Sequence, residues 1–115
     1  MPNDAWYYDN QFEAPSEDEP FLFVERIYCL DWDRFTVAER NRLEEILVHE
    51  LPEFAGHAMS CPYWFGTDEE NGPFLWASIE PPGLQVAGLL LPRNWEAWHE
   101  RFLALTWELP WRVPR

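Results

Sequence analysis

Lysine is absent from the 115-residue sequence, and all eight basic residues are arginine. This absence excludes Schiff-base chemistry on a lysine, a lysine general base and the lysine of a P-loop nucleotide site. Glycine is scarce, with five residues, and the sequence contains neither a glycine-rich phosphate loop nor a G-x-S-x-G nucleophile motif. No motif in the sequence therefore assigns a reaction to this protein.

The sequence also lacks a signal peptide and a long apolar run. Its N-terminus has neither the basic region nor the apolar region of a secretory signal. The longest apolar run, residues 86–91, is far shorter than the roughly 20 residues that span a bilayer. We therefore expect a cytoplasmic protein with no membrane partner. In that compartment Cys29 and Cys61 are expected to be reduced, buried thiols rather than a disulfide.

The strongest feature of the composition is a net charge of −13, which comes from 21 acidic and eight basic residues. Such a surface repels phosphate groups, so nucleic acid and anionic lipid are excluded as partners. It attracts basic proteins and speeds their association, although a high net charge also serves solubility alone. Aromatic residues make up 17% of the chain and include eight tryptophans, which gives the chain enough apolar surface to fold.

Acidic residues are concentrated at the N-terminus, where residues 1–20 form an acidic aromatic arm with six acidic residues and no basic residue. The aromatic residues of this arm are Trp6, Tyr7, Tyr8 and Phe12. Four aromatic side chains are unusual in a tail that is only solvated, because their burial stabilises a fold strongly. We therefore expect part of the arm to dock, either on its own domain or on a partner. Residues 21–115 are predicted to form a single domain.

Strand-forming residue types and turn signals predict four strands, and helical spacing of apolar residues predicts two helices in this domain. The predicted strands lie in residues 21–30, 62–65, 74–80 and 84–91, and the predicted helices span residues 36–51 and about 94–109. Thr36 and Glu39 form a capping box before the first helix, and Asn94 is predicted to cap the second. In the last strand Gly88 indicates a bulge or a close approach between strands. The order β-α-β-β-β-α is typical of an α+β fold with a four-stranded, mainly antiparallel sheet and two helices packed on one face.

Metal-ligand residue types are present but do not have the spacing of a metal site. His57 and Cys61 are four residues apart, yet no C-x-x-C or H-x-x-x-H pair is present to anchor a zinc ion. We therefore expect neither a metal nor another cofactor.

Glu96, His99 and Glu100 on the last predicted helix could support acid–base chemistry. Their positions are better explained as the solvated face of that helix, where charges are screened. An enzyme with an unrecognised acidic site stays open as an alternative, with His49, His57 or His99 as its acid or base.

The tryptophans give the most specific hypothesis. Trp98 and Phe102 lie on the apolar stripe of the last helix and are predicted core residues, whereas Trp107 and Trp111 lie off this stripe and are expected to be exposed. Exposed aromatic residues among charges are typical of protein interfaces. We therefore predict a non-catalytic domain that binds a basic protein, in its most specific form an inhibitor or immunity-type protein that neutralises a toxin or nuclease by occlusion. The predicted contacts are Trp6, Asp68, Glu69, Glu70, Trp107 and Trp111.

Two further alternatives stay open. A homodimer through Trp107 and Trp111 would cover the same aromatic side chains. A small-ligand or sugar-binding module would use Trp64 and Trp76 as stacking platforms.

Overall fold

The computed structural model describes residues 6–16, 20–51, 63–64 and 73–112. These ranges contain five strands and two helices, together with a 3-10 turn at Trp32–Arg34. In chain order the elements are β1 (Tyr7–Glu13), β2 (Leu22–Tyr28), α1 (Val37–His49), β3 (Tyr63–Trp64), β4 (Phe74–Glu80), β5 (Gly83–Leu90) and α2 (Pro92–Thr106). The predicted α+β fold class is confirmed. Within the described ranges no helix is long and apolar enough to cross a membrane.

The strands form one antiparallel sheet in the order β1-β2-β5-β4-β3. The four strands that the sequence predicts are β2 to β5, and the acidic aromatic arm adds β1 as a fifth. β1 pairs with β2 from Tyr7 opposite Tyr28 to Glu13 opposite Phe23. Residues 7–13 of the arm therefore lie against the arm's own domain, at one edge of the sheet.

The strand register places the core on one face of the sheet. Directly opposite residues of neighbouring strands share a face, so Arg26 of β2, Val86 of β5 and Ala77 of β4 point to the same side. The two helices cover this side, as predicted. The buried core residues of the strands are Leu22, Val24, Tyr28, Trp64, Leu75, Ala77, Leu84, Val86 and Leu90, and those of the helices are Leu43, Ile46, Leu47, Trp95, Trp98, Phe102 and Leu103.

The helix starts show one confirmed prediction and one correction. At α1 the backbone N–H of Glu39 donates to Thr36 Oγ1 (3.2 Å) and the backbone N–H of Thr36 donates to Glu39 Oε1 (2.9 Å), which is the predicted capping box. α2 begins at Pro92, so the prediction that Asn94 caps this helix is wrong. Proline is tolerated at the first helical position because the N–H that it lacks would have no partner there.

Gly88 allows β4 and β5 to approach closely, which is one of the two roles that the sequence suggested. A Cβ atom at this position would overlap the backbone oxygen of Phe74 and lie 2.8 Å from the Cα atom of Leu75. A side chain here would therefore have to displace the neighbouring strand rather than a flexible side chain.

Candidate functional site

The most unusual polar group of the described chain is Arg26, whose side chain lies buried on the helix side of β2. Its Nε donates to Asp9 Oδ1 (2.7 Å) and its Nη2 donates to Asp9 Oδ2 (3.2 Å). Asp9 lies directly opposite Arg26 on β1. Two parallel bonds between a guanidinium and a carboxylate are stronger and more directional than a single neutral bond. This ion pair therefore stabilises the pairing of β1 with β2 in addition to the backbone hydrogen bonds between the two strands.

Aromatic rings from β1 and α2 enclose the same guanidinium. The Cζ atom of Arg26 lies 4.1 Å from the ring centroid of Tyr7 and 4.8 Å from that of Trp95. Both distances are within the range of an attractive cation–π contact. Burial acts to lower the pKa of Arg26, but the hydrogen bond to Asp9 and the neighbouring negative charge outweigh it and raise the pKa above its ordinary value. Arg26 therefore stays protonated, and its side chain links β2, which carries it, to β1 and to α2.

His99 of α2 completes this cluster. Its Nδ1 lies 2.7 Å from the hydroxyl oxygen of Tyr28 and 3.3 Å from Nη1 of Arg26. Arginine can only donate, so Nδ1 accepts and the proton of the neutral ring is on Nε2. Burial and the charge of Arg26 lower the pKa of His99 to about 4. Burial raises the pKa of Tyr28 above its ordinary value, so at neutral pH both groups are uncharged.

The Arg26 cluster was not predicted from the sequence. Glu25 and Arg26 interrupt the apolar run of residues 21–30, which is the only signal that the sequence offers. The partner Asp9 could not be identified before the register of β1 was known. For His99, the interpretation as part of the solvated helix face is wrong, because its ring contacts Tyr28 and is partly buried.

Glu96 and Glu100 do lie on the solvated face of α2, as predicted, and they share it with Trp107. Trp107 has 53% of its surface exposed and keeps helical backbone angles just after α2. At 3.6 residues per turn, these three residues fall within a sector of about 40° next to His99. His99 borders this sector, about 60° from Glu96 around the helix. Its ring contacts Tyr7 of β1 with 5.0 Å between centroids, so the sector begins on the β1 side of α2.

The helix side of β1 extends this exposed sector. Tyr7 is 37% exposed and Phe12 is 48% exposed, and both are on the face of β1 that carries Asp9 because they pair with Tyr28 and Val24 of β2. We call Tyr7, Phe12, Glu96, Glu100 and Trp107 the acidic aromatic surface. This surface contains both aromatic rings, which a partner can cover, and carboxylates, which a cationic group can approach.

The end of α2 adds further negative potential to this surface. The backbone carbonyl groups at a helix C-terminus carry a partial negative charge, which basic residues of the last turn commonly offset. The last turn of α2 contains no basic residue. Trp107 follows directly after this turn, at the negative end of the helix dipole.

The residues predicted to contact a partner differ in how exposed they are in the structure. Trp107 is exposed, as expected, but the expectation that Trp111 is exposed is wrong. Trp111 is 3% exposed, forms a bridge with Leu30, and donates its Nε1–H to the carbonyl oxygen of Thr106 (3.0 Å). Trp6 is partly buried, with the guanidinium of Arg112 6.0 Å from its ring centroid. Asp68, Glu69 and Glu70 lie outside the described residues.

The structure corrects one of the proposed stacking platforms. Trp64 is 0% exposed and packs edge-on against Trp98, with 5.0 Å between the ring centroids. A sugar ring therefore cannot stack on Trp64 in this structure. Trp76 is partly buried and pairs with Ala87 on the side of the sheet that faces away from the helices.

The other titratable candidates are not clustered in the described ranges. Cys29 is a free, buried thiol, and burial raises its pKa above the ordinary value. His49 is exposed at the end of α1. His57 and Cys61 lie outside the described residues. Among the residues that are described, no three histidine, cysteine or carboxylate groups are placed to hold a metal ion.

No protein-family model, curated protein or solved structure matches this chain. The function must therefore be inferred from the residues of the chain itself. Its two distinctive features are the acidic aromatic surface and the Arg26 cluster beneath it.

Proposed function

We propose that this protein is a non-catalytic domain that binds a basic protein partner through the acidic aromatic surface. The observation that carries the proposal is the exposed ring of Trp107, which lies on the same face of α2 as Glu100 and Glu96, about two and three helical turns further along. Tryptophan contributes large binding energies at interfaces because it buries much area with few rotatable bonds. Flanking carboxylates favour a partner with arginine or lysine at the rim of the contact.

The net charge of −13 supports the same class of partner. A strongly acidic molecule accelerates encounter with a basic one and repels other acidic proteins. The most specific form of this proposal is an inhibitor or immunity-type protein. It would neutralise a basic toxin or nuclease by covering the cationic cleft that otherwise binds phosphate.

The Arg26 cluster supports this proposal by holding the surface in one geometry. Tyr7 and Asp9 of β1 are fixed by Arg26, and His99 of α2 is fixed by Tyr28 and Arg26. The two elements that carry the surface are therefore connected before a partner arrives. A surface that is already ordered loses less conformational entropy on binding.

A quantitative pull-down from native cell lysate tests the proposal, with the tagged full chain at about 0.05 M and about 0.5 M salt. We expect a basic protein at low salt and much less of it at high salt, because ions screen exposed charge pairs. Trp107→Ala should reduce the recovery about tenfold or more. Val37→Ala, which truncates an exposed side chain on α1, is the control and should leave recovery unchanged. Equal recovery with Trp107→Ala and wild type would overturn the proposal.

A further inference from the structure

β1 has one edge that no described strand covers. It is the first strand in the order β1-β2-β5-β4-β3, and all seven of its residues are exposed. An edge strand presents unpaired backbone N–H and C=O groups to which an extended segment of another protein can add.

The direction of these backbone groups follows from the ladder. The carbonyl oxygen of Trp6 accepts the N–H of Cys29 on the β2 side (2.8 Å). Backbone groups of an antiparallel strand alternate between its two neighbours, so the N–H and C=O of Tyr7 and Asp9 point away from β2. An irregularity interrupts the register between Asp9 and Gln11. Residues 7–9 therefore form the regular part of the open edge.

The charge along β1 determines which kind of segment fits this edge. β1 itself carries two acidic residues, Asp9 and Glu13, and no basic residue. Glu96 and Glu100 add two exposed carboxylates on the helix side. An incoming basic strand would meet exposed carboxylates on both elements, whereas the nearest cation on β2, Arg26, is buried and already paired with Asp9. A second copy of β1 would bring two acidic segments together, and the irregularity after Asp9 would further hinder regular pairing of two such edges.

We infer that a basic, extended segment of the partner adds to the open edge of β1 as a further strand of the sheet. This inference rests on the proposed function and specifies how the partner binds. Backbone hydrogen bonds to Tyr7 and Asp9 align the added strand. Its arginine or lysine side chains on the helix side of the sheet lie towards Glu96 and Glu100.

The test uses a synthetic peptide of alternating threonine and arginine whose length matches β1. The control peptide has the same sequence with N-methyl groups on alternate residues, which removes backbone donors and keeps every charge. Two backbone hydrogen bonds of about 1 kcal/mol each correspond to at least a tenfold difference in affinity. We therefore expect the unmethylated peptide to bind about tenfold more tightly, and to slow amide hydrogen exchange at Tyr7 and Asp9 of the full chain.

A pair of variants tests the same edge from the side of the protein. Tyr7→Pro removes the ring and the backbone N–H that points away from β2, and it leaves the hydrogen bonds between β1 and β2 in place. Tyr7→Ala removes the ring but keeps this N–H. We expect Tyr7→Pro to bind the unmethylated peptide several-fold more weakly than Tyr7→Ala. Thermal unfolding of both variants verifies that the sheet is intact, and amide exchange in the wild type decides the question if either variant fails to fold.

The outcomes distinguish this inference from the proposed function. Equal binding of both peptides would overturn strand addition and leave charge-driven binding intact. Absence of binding by either peptide would overturn strand addition as well, while the pull-down with Trp107→Ala tests the proposed function separately. A dimer of the chain alone that Tyr7→Pro abolishes would assign the edge to a second copy and would also overturn the inference.

Discussion

Arg26 shows how a charge can be buried in a small domain without being unpaired. Its guanidinium binds Asp9 through two hydrogen bonds and lies against the rings of Tyr7 and Trp95. The Asp9 side chain is 32% exposed but that of Arg26 is buried, so loss of Asp9 would leave a buried guanidinium without its carboxylate, which costs more than the pair itself contributes. The cluster should therefore depend strongly on Asp9.

Asp9→Asn should reduce the free energy of unfolding by about 1–3 kcal/mol, because a neutral amide replaces a charged acceptor of the guanidinium. Urea denaturation at neutral pH measures the effect. Glu13→Gln is the matched control: it lies on the same strand, is exposed, and has no ion pair within the described chain. Its expected effect is below about 0.5 kcal/mol. Equal losses for the two variants would contradict the role assigned to Asp9.

His99 should make the stability depend on pH in mildly acidic solution. An unfolded chain takes up a proton on this residue near pH 6.5, whereas in the fold the pKa of His99 is about 4. As the pH falls, the unfolded state binds this proton before the folded state does. The free energy of unfolding is therefore unaffected by His99 above about pH 6.5 and decreases as the pH falls from there towards 4.

His99→Gln should flatten this dependence, because the amide oxygen can still accept from Tyr28 but cannot be protonated. Urea denaturation of both proteins between about pH 7 and pH 4 gives the difference in slope, which is at most one proton. His49→Gln is the control, since His49 is exposed. Parallel pH profiles for wild type and His99→Gln would contradict the lowered pKa.

At this scale the sequence predicted residue types better than partnerships. Trp98 and Phe102 were correctly predicted to lie in the core, because helical spacing alone determines their face. Arg26 and Asp9 are 17 positions apart, and their contact depends on a register that includes an irregularity. Trp111 follows the end of α2, where helical spacing no longer applies, so its burial against Leu30 was not predictable.

Among the secondary-structure elements, β2, β4 and β5 follow from apolar runs rich in strand-forming residues, and the two helices follow from helical spacing of apolar residues. β1 was not predicted because all seven of its residues are exposed, so it lacks the alternation of a half-buried strand. β1 instead pairs through its backbone with a β2 that is mostly buried. An acidic segment can therefore become a strand when a buried neighbour and one ion pair fix it in place.

The close approach of β4 and β5 should make Gly88 intolerant of a side chain. Gly88→Ala would place a methyl group against the backbone of Phe74 and Leu75, and we expect a loss of at least about 2 kcal/mol from overpacking. Thermal or urea unfolding measures this loss. Ile79→Ala, at an exposed position of β4, should cost much less. A Gly88→Ala protein as stable as wild type would show that the two strands can separate easily.

For the whole molecule, the net charge of −13 and the acidic aromatic surface favour the same class of partner. The charge was evident from the sequence and indicates a basic partner. The position of the acidic aromatic surface was not evident from the sequence, because this position depends on β1 lying beside the exposed face of α2. Of the predicted contacts that the structure describes, Trp107 is exposed, Trp6 is partly buried and Trp111 belongs to the core.

The most direct measurement of the central claim compares two triple variants that remove the same charge. Glu96→Gln/Glu100→Gln/Trp107→Ala alters the acidic aromatic surface, and Glu44→Gln/Glu45→Gln/Val48→Ala alters exposed positions on α1. Recovery of the basic partner from native lysate is quantified for both, after thermal unfolding has shown that both are folded. We predict a loss of more than about tenfold for the α2 variant and little loss for the α1 variant. Equal recovery by the two variants would contradict the claim that this surface binds the partner.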